Sequence, residues 1–439
     1  MSTNGSFQHA LLLTGALLGT SPALAAEPVE TRIASLEKQV AELKAQLKPQ
    51  TPTTAATPQP TSSAPSSNPV TGACLNNSGT RREVYGFVRL DGSYDTGRIT
   101  PGNIALYAPS EGIVNNDSEF NLTANATRLG VNLCGPNTDS MMVGGTIEFD
   151  FLSNLGAENN ASPRLRHAYL KMFWPSSDLL ITAGQTWDLN GSLIPFVDDP
   201  AIMWDAGNIG GRHPQLRLTK GFKSGEKSRL ELAVAAARTI GEANGTYPDP
   251  GKDAAIPTIQ ARLALNTPLF VSGKPATVSI SGHYGQEEWD TAADGTHRTF
   301  DSWSYVLEFS LPVCNHLLLA GELFSGENLD DYWGGIGQGI NRNDPNNMKA
   351  IRSHGGWAAL RYTASAETTF NLGAGLDNPD DRDLWSGARS INEMQFISVS
   401  HTLASHLILG GQLSHIRTGY INQQEGDAVR IQSSLTFTF

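Results

Sequence analysis

The residues of this sequence most able to do chemistry are arginines set at alternate positions within apolar stretches. Arg89, Arg128, Arg217, Arg262, Arg361 and Arg430 each stand in such a stretch, and a period of two collects them on the face opposite the apolar side chains. Asp91, Glu148, Asp150, Glu308 and Glu322 take the same kind of position. Guanidinium groups stay charged, so a row of them on one surface can form a positive constriction in a chain of negative total charge, unless each simply pairs with a neighbouring acid. Arg164 and Arg166 share a face with Ala168 and Leu170, which sets them at an outer rim near lipid headgroups. The segment from Asp188 to His213 carries Asp188, Asp198, Asp199 and Asp205 beside Trp187, Pro195, Phe196, Met203 and Trp204. It is too apolar for a solvated loop, and acids on it facing arginines across a gap would create a field that orients dipolar or anionic solutes.

Other constellations are weaker. His167, His213, His283, His354 and His415 are scattered without a metal-ligand spacing such as H-E-x-x-H, so neither a metal nor a cofactor is expected. Ser414-His415 is the kind of pair that a lipase- or protease-like barrel enzyme would need, and it also arises by chance. Cys74, Cys134 and Cys314 make an odd number in an oxidising compartment. Cys74 lies just before the first strand and Cys134 ends its sequence neighbour, so Cys74–Cys134 is the expected disulfide.

The elements that must position these residues are strands. From Glu83 to Phe439, segments of about 10 residues alternate apolar with polar or small side chains. In the last one Val429, Ile431, Leu435, Phe437 and Phe439 share a face, against Arg430, Gln432, Ser434, Thr436 and Thr438. Leu263 and Leu265 alternate with Arg262, Leu409 and Leu413 with Gln412, and Leu360 and Tyr362 with Arg361. Connections alternate in length: short at 135–139, 175–178, 223–227, 312–315, 364–366 and 404–405, long and polar at 96–116, 153–162, 188–213, 239–255, 288–297, 325–349 and 378–390. Short turns on one side and long loops on the other are what an outer-membrane barrel requires. Eight hairpins give an all-β, transmembrane antiparallel β-barrel of about 16 strands, wide enough to hold an aqueous channel. The alternation slips phase within 117–134 and 391–403, which points to a bulge or to a miscounted strand.

Composition agrees. The 439 residues carry a formal charge of −12 with only 17% charged residues, so a nucleic-acid partner is excluded. Apolar runs of 18 residues or more are absent and the mean hydropathy is −0.25, which rules out a helical membrane bundle and leaves a barrel open. Residues 1–26 read as a signal peptide, with an apolar stretch and small residues at its end. Within 27–48, Ile33, Leu36, Val40, Leu43 and Leu47 form a short coiled-coil seam, placed in the periplasm, whose a and d residues lean toward a dimer. Residues 49–82 form a Pro/Thr/Ser-rich linker and pre-barrel segment, and 83–439 the barrel.

Several stretches together resemble the DcaP-like outer-membrane porins: the heptad and Pro-rich start, Tyr85 to Asp91, Thr127 to Gly130, Arg164 to Tyr169, Gly184 to Trp187, Arg212 to Arg217 and the terminal Phe439. The resemblance implies a homotrimeric, 16-stranded diffusion channel in outer-membrane lipid that favours small anions such as dicarboxylates. The segment 188–213 then resembles the third long loop that folds into a porin lumen, and Phe439 resembles the C-terminal signal read by the outer-membrane assembly machinery. A passive channel is the leading reading of the sequence, with a barrel enzyme and an envelope-structural protein as its rivals.

Overall fold

The computed structural model describes residues 79–113, 116–153, 161–241, 251–291, 295–344 and 346–439. The expected signal peptide, coiled coil, linker and Cys74 lie outside these residues. In the described part, seventeen hydrogen-bonded segments form one sheet that closes on itself. Two of them, Glu119–Thr123 and Arg128–Cys134, pair in succession with the same edge of the first strand. They are two halves of one strand, so the barrel has sixteen.

The strands are β1 (Arg81–Asp95), β2 (the two halves just named), β3 (Met142–Asp150), β4 (Arg164–Trp174), β5 (Leu179–Trp187), β6 (Arg212–Ser224), β7 (Ser228–Ala237) and β8 (Thr258–Val271). They continue with β9 (Lys274–Asp290), β10 (His297–Cys314), β11 (Leu317–Glu327), β12 (Arg352–Thr363), β13 (Thr368–Pro379), β14 (Arg389–Ala404), β15 (Leu407–Tyr420) and β16 (Gly426–Thr438). All neighbours are antiparallel, and β16 closes on β1 with Phe87 opposite Thr438 and Asp95 opposite Arg430. The terminal Phe439 exchanges both backbone hydrogen bonds with Gly86, at 3.1 Å each. Closure satisfies every ladder edge, which backbone in lipid demands.

Two phase slips have physical causes. Between the halves of β2 the ladder is interrupted at 124–127, where Thr127 Oγ1 accepts from the Arg89 amide at 3.1 Å and donates to the Arg89 carbonyl. The hydroxyl replaces the missing ladder bond. In β14 the register shifts between Arg389 and Ile391 and again between Thr402 and Ala404. The hairpin count holds, with two connections that the sequence pattern does not resolve: the tight turn at 272–273 and the loop 421–425.

This barrel is inside out relative to a soluble domain. Val88, Ile280, Ile397 and Phe437 are exposed on its outer face, while Gln260, Glu322, Asn392 and Thr418 are fully buried within it. Lipid covers the apolar face and the lumen holds the polar one. Replacing outward Leu263 with Arg at mid-strand should therefore lower stability by about 2–4 kcal/mol, whereas the same change at inward, half-buried Ser400, which lines a lumen space, should cost less. Urea unfolding of the two variants in lipid vesicles checks the difference; equal losses would contradict the assigned faces.

Candidate pore constriction

The third long loop, 188–211, leaves the wall after β5 and crosses the lumen. Its backbone is held by inward side chains from five strands. Glu308 on β10 accepts from the Leu193 amide at 2.7 Å and from the Ser192 hydroxyl at 2.9 Å. Glu322 on β11 accepts from the Ile209 amide at 3.0 Å, and Gln412 on β15 accepts from the Asp198 amide at 2.6 Å. Gln260 on β8 accepts from the Leu189 amide, and Ser398 on β14 donates to the Phe196 carbonyl. Gly191 sits at φ +64° with its Cα against the Ile209 carbonyl, so close that an added Cβ would lie 1.8 Å from the oxygen. Only glycine allows the two ends of the loop to meet there.

The loop's four acids do not line an open gap. Asp188 pairs with His213 at 2.7 Å and accepts from Gln260 and the Gly211 amide. Asp198 lies 3.3 Å from Arg89 and accepts from Ser434. Asp199 is 3.0 Å from Arg430, which also pairs with Asp95 at 2.7 Å, and all three are nearly inaccessible. Asp205 is buried under the loop, where burial pushes its carboxyl up to about 7, with Arg389 opposing and Asp330 adding to the rise. Asp188, Asp198 and Asp199 thus act as anchors. The expected acid face, which would have opposed the arginines with a transverse field, is replaced by Ile194, Pro200, Ile202 and Trp204.

The expected arginines divide into three groups. Arg89 and Arg262 join Arg430 as buried partners of acids: Arg89 contacts Asp91, and Arg262 lies 3.5 Å from Glu308 and 3.9 Å from Glu231. Arg217 and Arg361 make no ion pair among the described residues. Arg217 donates to Gln215 and to the Trp187 carbonyl, and Arg361 stacks 4.0 Å over Phe196 and donates to Asn371. Arg128 alone of the six lines the larger cavity between the loop and the wall, 3.6 Å from Glu148.

That cavity, of 430 Å³, lies between the loop and the wall formed by β1 to β6. Tyr85, His406 and Phe439 line its short-turn end. Beside Arg128 it contains Arg166, Arg212, His167 and Trp187. Arg166 is bonded to Glu148 at 2.7 Å and Asp150 at 2.9 Å, and Arg164 to Asp150 at 2.8 Å. Three guanidinium groups share two carboxylates and Arg212 adds a fourth, a surplus of two positive charges. Arg212 has no acid within ion-pair distance among the described residues. It lies 4.4 Å over Trp187 and 5.6 Å from Trp204, and Trp204 itself stacks on Trp333 at 4.4 Å. Buried Arg128 Nε and Arg212 Nη1 have no hydrogen-bond partner among the described residues.

Arg166 was expected at the outer rim. The structure puts it inside, because the register of β3 and β4 jumps from Glu148–His167 to Phe149–Leu165 and leaves Arg166 as the extra residue. A bulge turns the following or preceding residues to the other face. Leu165 is outward and Arg166 buried. Arg212 was missed because it opens a strand directly after the loop, where a single residue has no period to place it.

The rival hydrolytic pair separates in space. Ser414 is buried in the lumen, and His415, one residue on, faces outward beside Asp427 and Gln395. Inside, His283 is bonded through both ring nitrogens to Ser304 at 2.7 Å and Ser302 at 2.9 Å.

A closed sixteen-stranded barrel with an apolar exterior, a charged lumen and a long loop anchored across it has the fold of an outer-membrane channel of the porin class. Residues 59–200 match the family model described as DcaP outer membrane protein, so the resemblance to DcaP-like porins read from the short sequence motifs stands on a family match as well. The crystal structure of the outer membrane channel DcaP of Acinetobacter baumannii is similar at a TM-score of 0.67 with 19% identity, over 83% of this chain and 99% of that one. An anion-selective porin from Comamonas acidovorans follows at 0.52 and 13%, over 82% and 100%. OmpT of Vibrio cholerae, folded in vitro and in trimer form, is similar at 0.50 and 12%, over 82% and 100%. At these identities the shared property is the fold. No curated protein matches the chain.

Asp205 gives a pH test of the loop's seat. Its native carboxyl stays protonated up to about 7, against about 3.9 when unfolded, so its contribution to stability is full below the unfolded value and is lost as pH rises through the native one. Thermal stability in detergent should fall between about pH 4 and 7, and Asp205→Asn should flatten that slope. Identical slopes in the two proteins would contradict the assignment.

Proposed function

We propose that this chain is a passive diffusion channel for small hydrophilic solutes that favours small anions, dicarboxylates among them. The observation that carries the reading is the surplus of two guanidinium charges on the wall opposite the loop, with Arg128 and Arg212 holding N–H groups that no described residue accepts. Donors already desolvated and fixed in a narrow passage lower the barrier for an anion and raise it for a cation. A second, smaller space of 90 Å³ on the other side of the loop tip includes Arg361, which pairs with no acid among the described residues, and a solute with two carboxylates would meet basic groups on both sides. Arg217 and Arg262 belong to the same lumen, with Arg262 acting through its acids.

Export by the N-terminal signal, a periplasmic coiled coil and a homotrimer in the outer membrane belong to the same reading. Support for the trimer comes from the trimer form of the similar OmpT fold. Pairing of Cys74 with Cys134 is supported by Cys134 being disulfide-bonded while Cys314 is free. Phe439, fixed to Gly86 with its ring half exposed, is offered to the assembly machinery as the end of the closing strand.

Arg212→Glu changes the wall by two charges and takes its surplus from two to zero. Liposome-flux measurements should show uptake of a small dicarboxylate falling by roughly three- to tenfold, which corresponds to about 0.7–1.4 kcal/mol in the barrier, with uptake of a neutral sugar of similar size unchanged. A parallel fall for both solutes would mean a blocked pore, and no fall for either would remove the basic wall from selectivity.

A further inference from the structure

The inward face of β4 carries a cation that the anchoring of the loop does not use. Among the described residues Lys171 makes no ion pair, and the charge that acts on it is that of Arg217, of the same sign. Arg217 is likewise without an acid: its guanidinium is bonded to Gln215 Oε1 at 2.9 and 2.7 Å and to the Trp187 carbonyl. The two acids whose charge reaches Arg217 are Asp188 and Glu231, and both are committed elsewhere. Asp188 pairs with His213 at 2.7 Å, and Glu231 lies 3.3 Å from Arg229 and 3.9 Å from Arg262. Two like charges partly desolvated side by side cost free energy unless an anion joins them.

Strand register brings the two together. Thr182 on β5 stands opposite Lys171 on one side and Arg217 on the other, so the three form a row across the wall. The next inward row toward the long loops is Tyr169, Gly184 and Gln215. Both cations lean into it: Lys171 Nζ is 5.1 Å from the centre of the Tyr169 ring, and Arg217 bonds Gln215. Between those two side chains Gly184 leaves a gap. At φ +125°, with the Ala168 carbonyl oxygen 2.2 Å from where a Cβ would stand, the position admits no other residue. Neighbouring strands are about 4.8 Å apart, so the gap spans about two such spacings between backbones, room for one compact ion. Toward the short turns the next row holds Phe173 and Leu180, packed with Cys134 and Met142. That apolar flank keeps water from one side and strengthens the field of the two cations.

The geometry points to a second anion seat in the lumen, over Gly184, where Lys171 and Arg217 hold a free, compact dianion of the phosphate or sulfate kind. Two cations without an acid match two negative charges. A tetrahedral ion can accept from Lys171, from Arg217 and from the Thr182 hydroxyl at once, and a planar carboxylate has fewer directions in which to do so. Lysine serves as a point charge there and arginine as a fork. The seat adjoins the basic cavity, because Arg217 is bonded to the carbonyl of Trp187, whose ring lies 4.4 Å from the Arg212 guanidinium. It deepens the anion-channel reading and rests on that reading for the ion's access: an anion leaving Arg212 toward the short-turn side meets Arg217 and Lys171 next.

The test is equilibrium dialysis of labelled inorganic phosphate against the full-length protein in detergent, at low ionic strength, where the attraction is least screened. One saturable site per chain is expected, weakened by about tenfold or more in Lys171→Met and restored in Lys171→Arg. Sulfate should displace phosphate better than acetate does. Glycerol phosphate, which carries the same group on a longer body, should compete more weakly than phosphate; equal competition would overturn the free ion as the occupant. Arg128→Gln, a change in the basic cavity, should weaken binding less than Lys171→Met does, and the reverse order would move the phosphate into the cavity and overturn the seat. Absent saturable binding, or binding indifferent to Lys171→Met, overturns it as well. A cation-selective reversal potential with phosphate binding intact would count against the channel reading alone, so the two failures are distinguishable. Retained heat-modifiable migration on gels confirms that each variant is folded.

Discussion

Everything inside this barrel depends on how the segment 188–211 is tied across the lumen. A loop crossing an aqueous channel wide enough for sixteen strands has no apolar core to rest on, and its amides need partners. The wall provides them as carboxylates and carboxamides: Glu308 for Leu193, Glu322 for Ile209, Gln412 for Asp198 and Gln260 for Leu189. The loop returns acids of its own to wall arginines, as Asp199 does to Arg430 and Asp198 to Arg89. Removing one partner of such a pair leaves a buried charge uncompensated, at a cost of about 3–5 kcal/mol. The fold of the loop and the charge pattern of the wall are one construction.

That construction decides which charges are available to a solute. Acids spent on anchoring cannot repel anions, and arginines spent on them cannot attract anions. What is left over is local. On β2, β3, β4 and β6 three guanidinium groups meet two carboxylates, and Arg212, a fourth, rests on indole rings in place of an acid. A net charge of −12 for the chain therefore says little about the passage. The loop contributes a low-dielectric, apolar edge to that passage, which strengthens the field of the arginines facing it.

Much of the fold was legible because lipid imposes a simple rule on every strand. Period two, the two classes of connection and the terminal Phe439 all express it, and the strands with clean alternation, such as that of Leu263 and Arg262, were placed correctly. The site was less legible. Arg166 was assigned to the rim because a bulge opposite Glu148 changes the face without any mark in composition. Arg212 had no period to place it. The acids of 188–211 were identified as a group, but whether an acid faces a gap or an arginine is set by partners more than a hundred residues away, such as Arg430 for Asp199. Sequence distance hides that pairing.

The central claim is that the unshared arginines set the sign of the pore. Reversal potential of the purified wild-type channel in a planar bilayer under a potassium chloride gradient tests it most directly. A potential of the sign set by chloride moving down its gradient is the predicted result. Potassium selectivity, or the absence of stepwise conductance altogether, would contradict it.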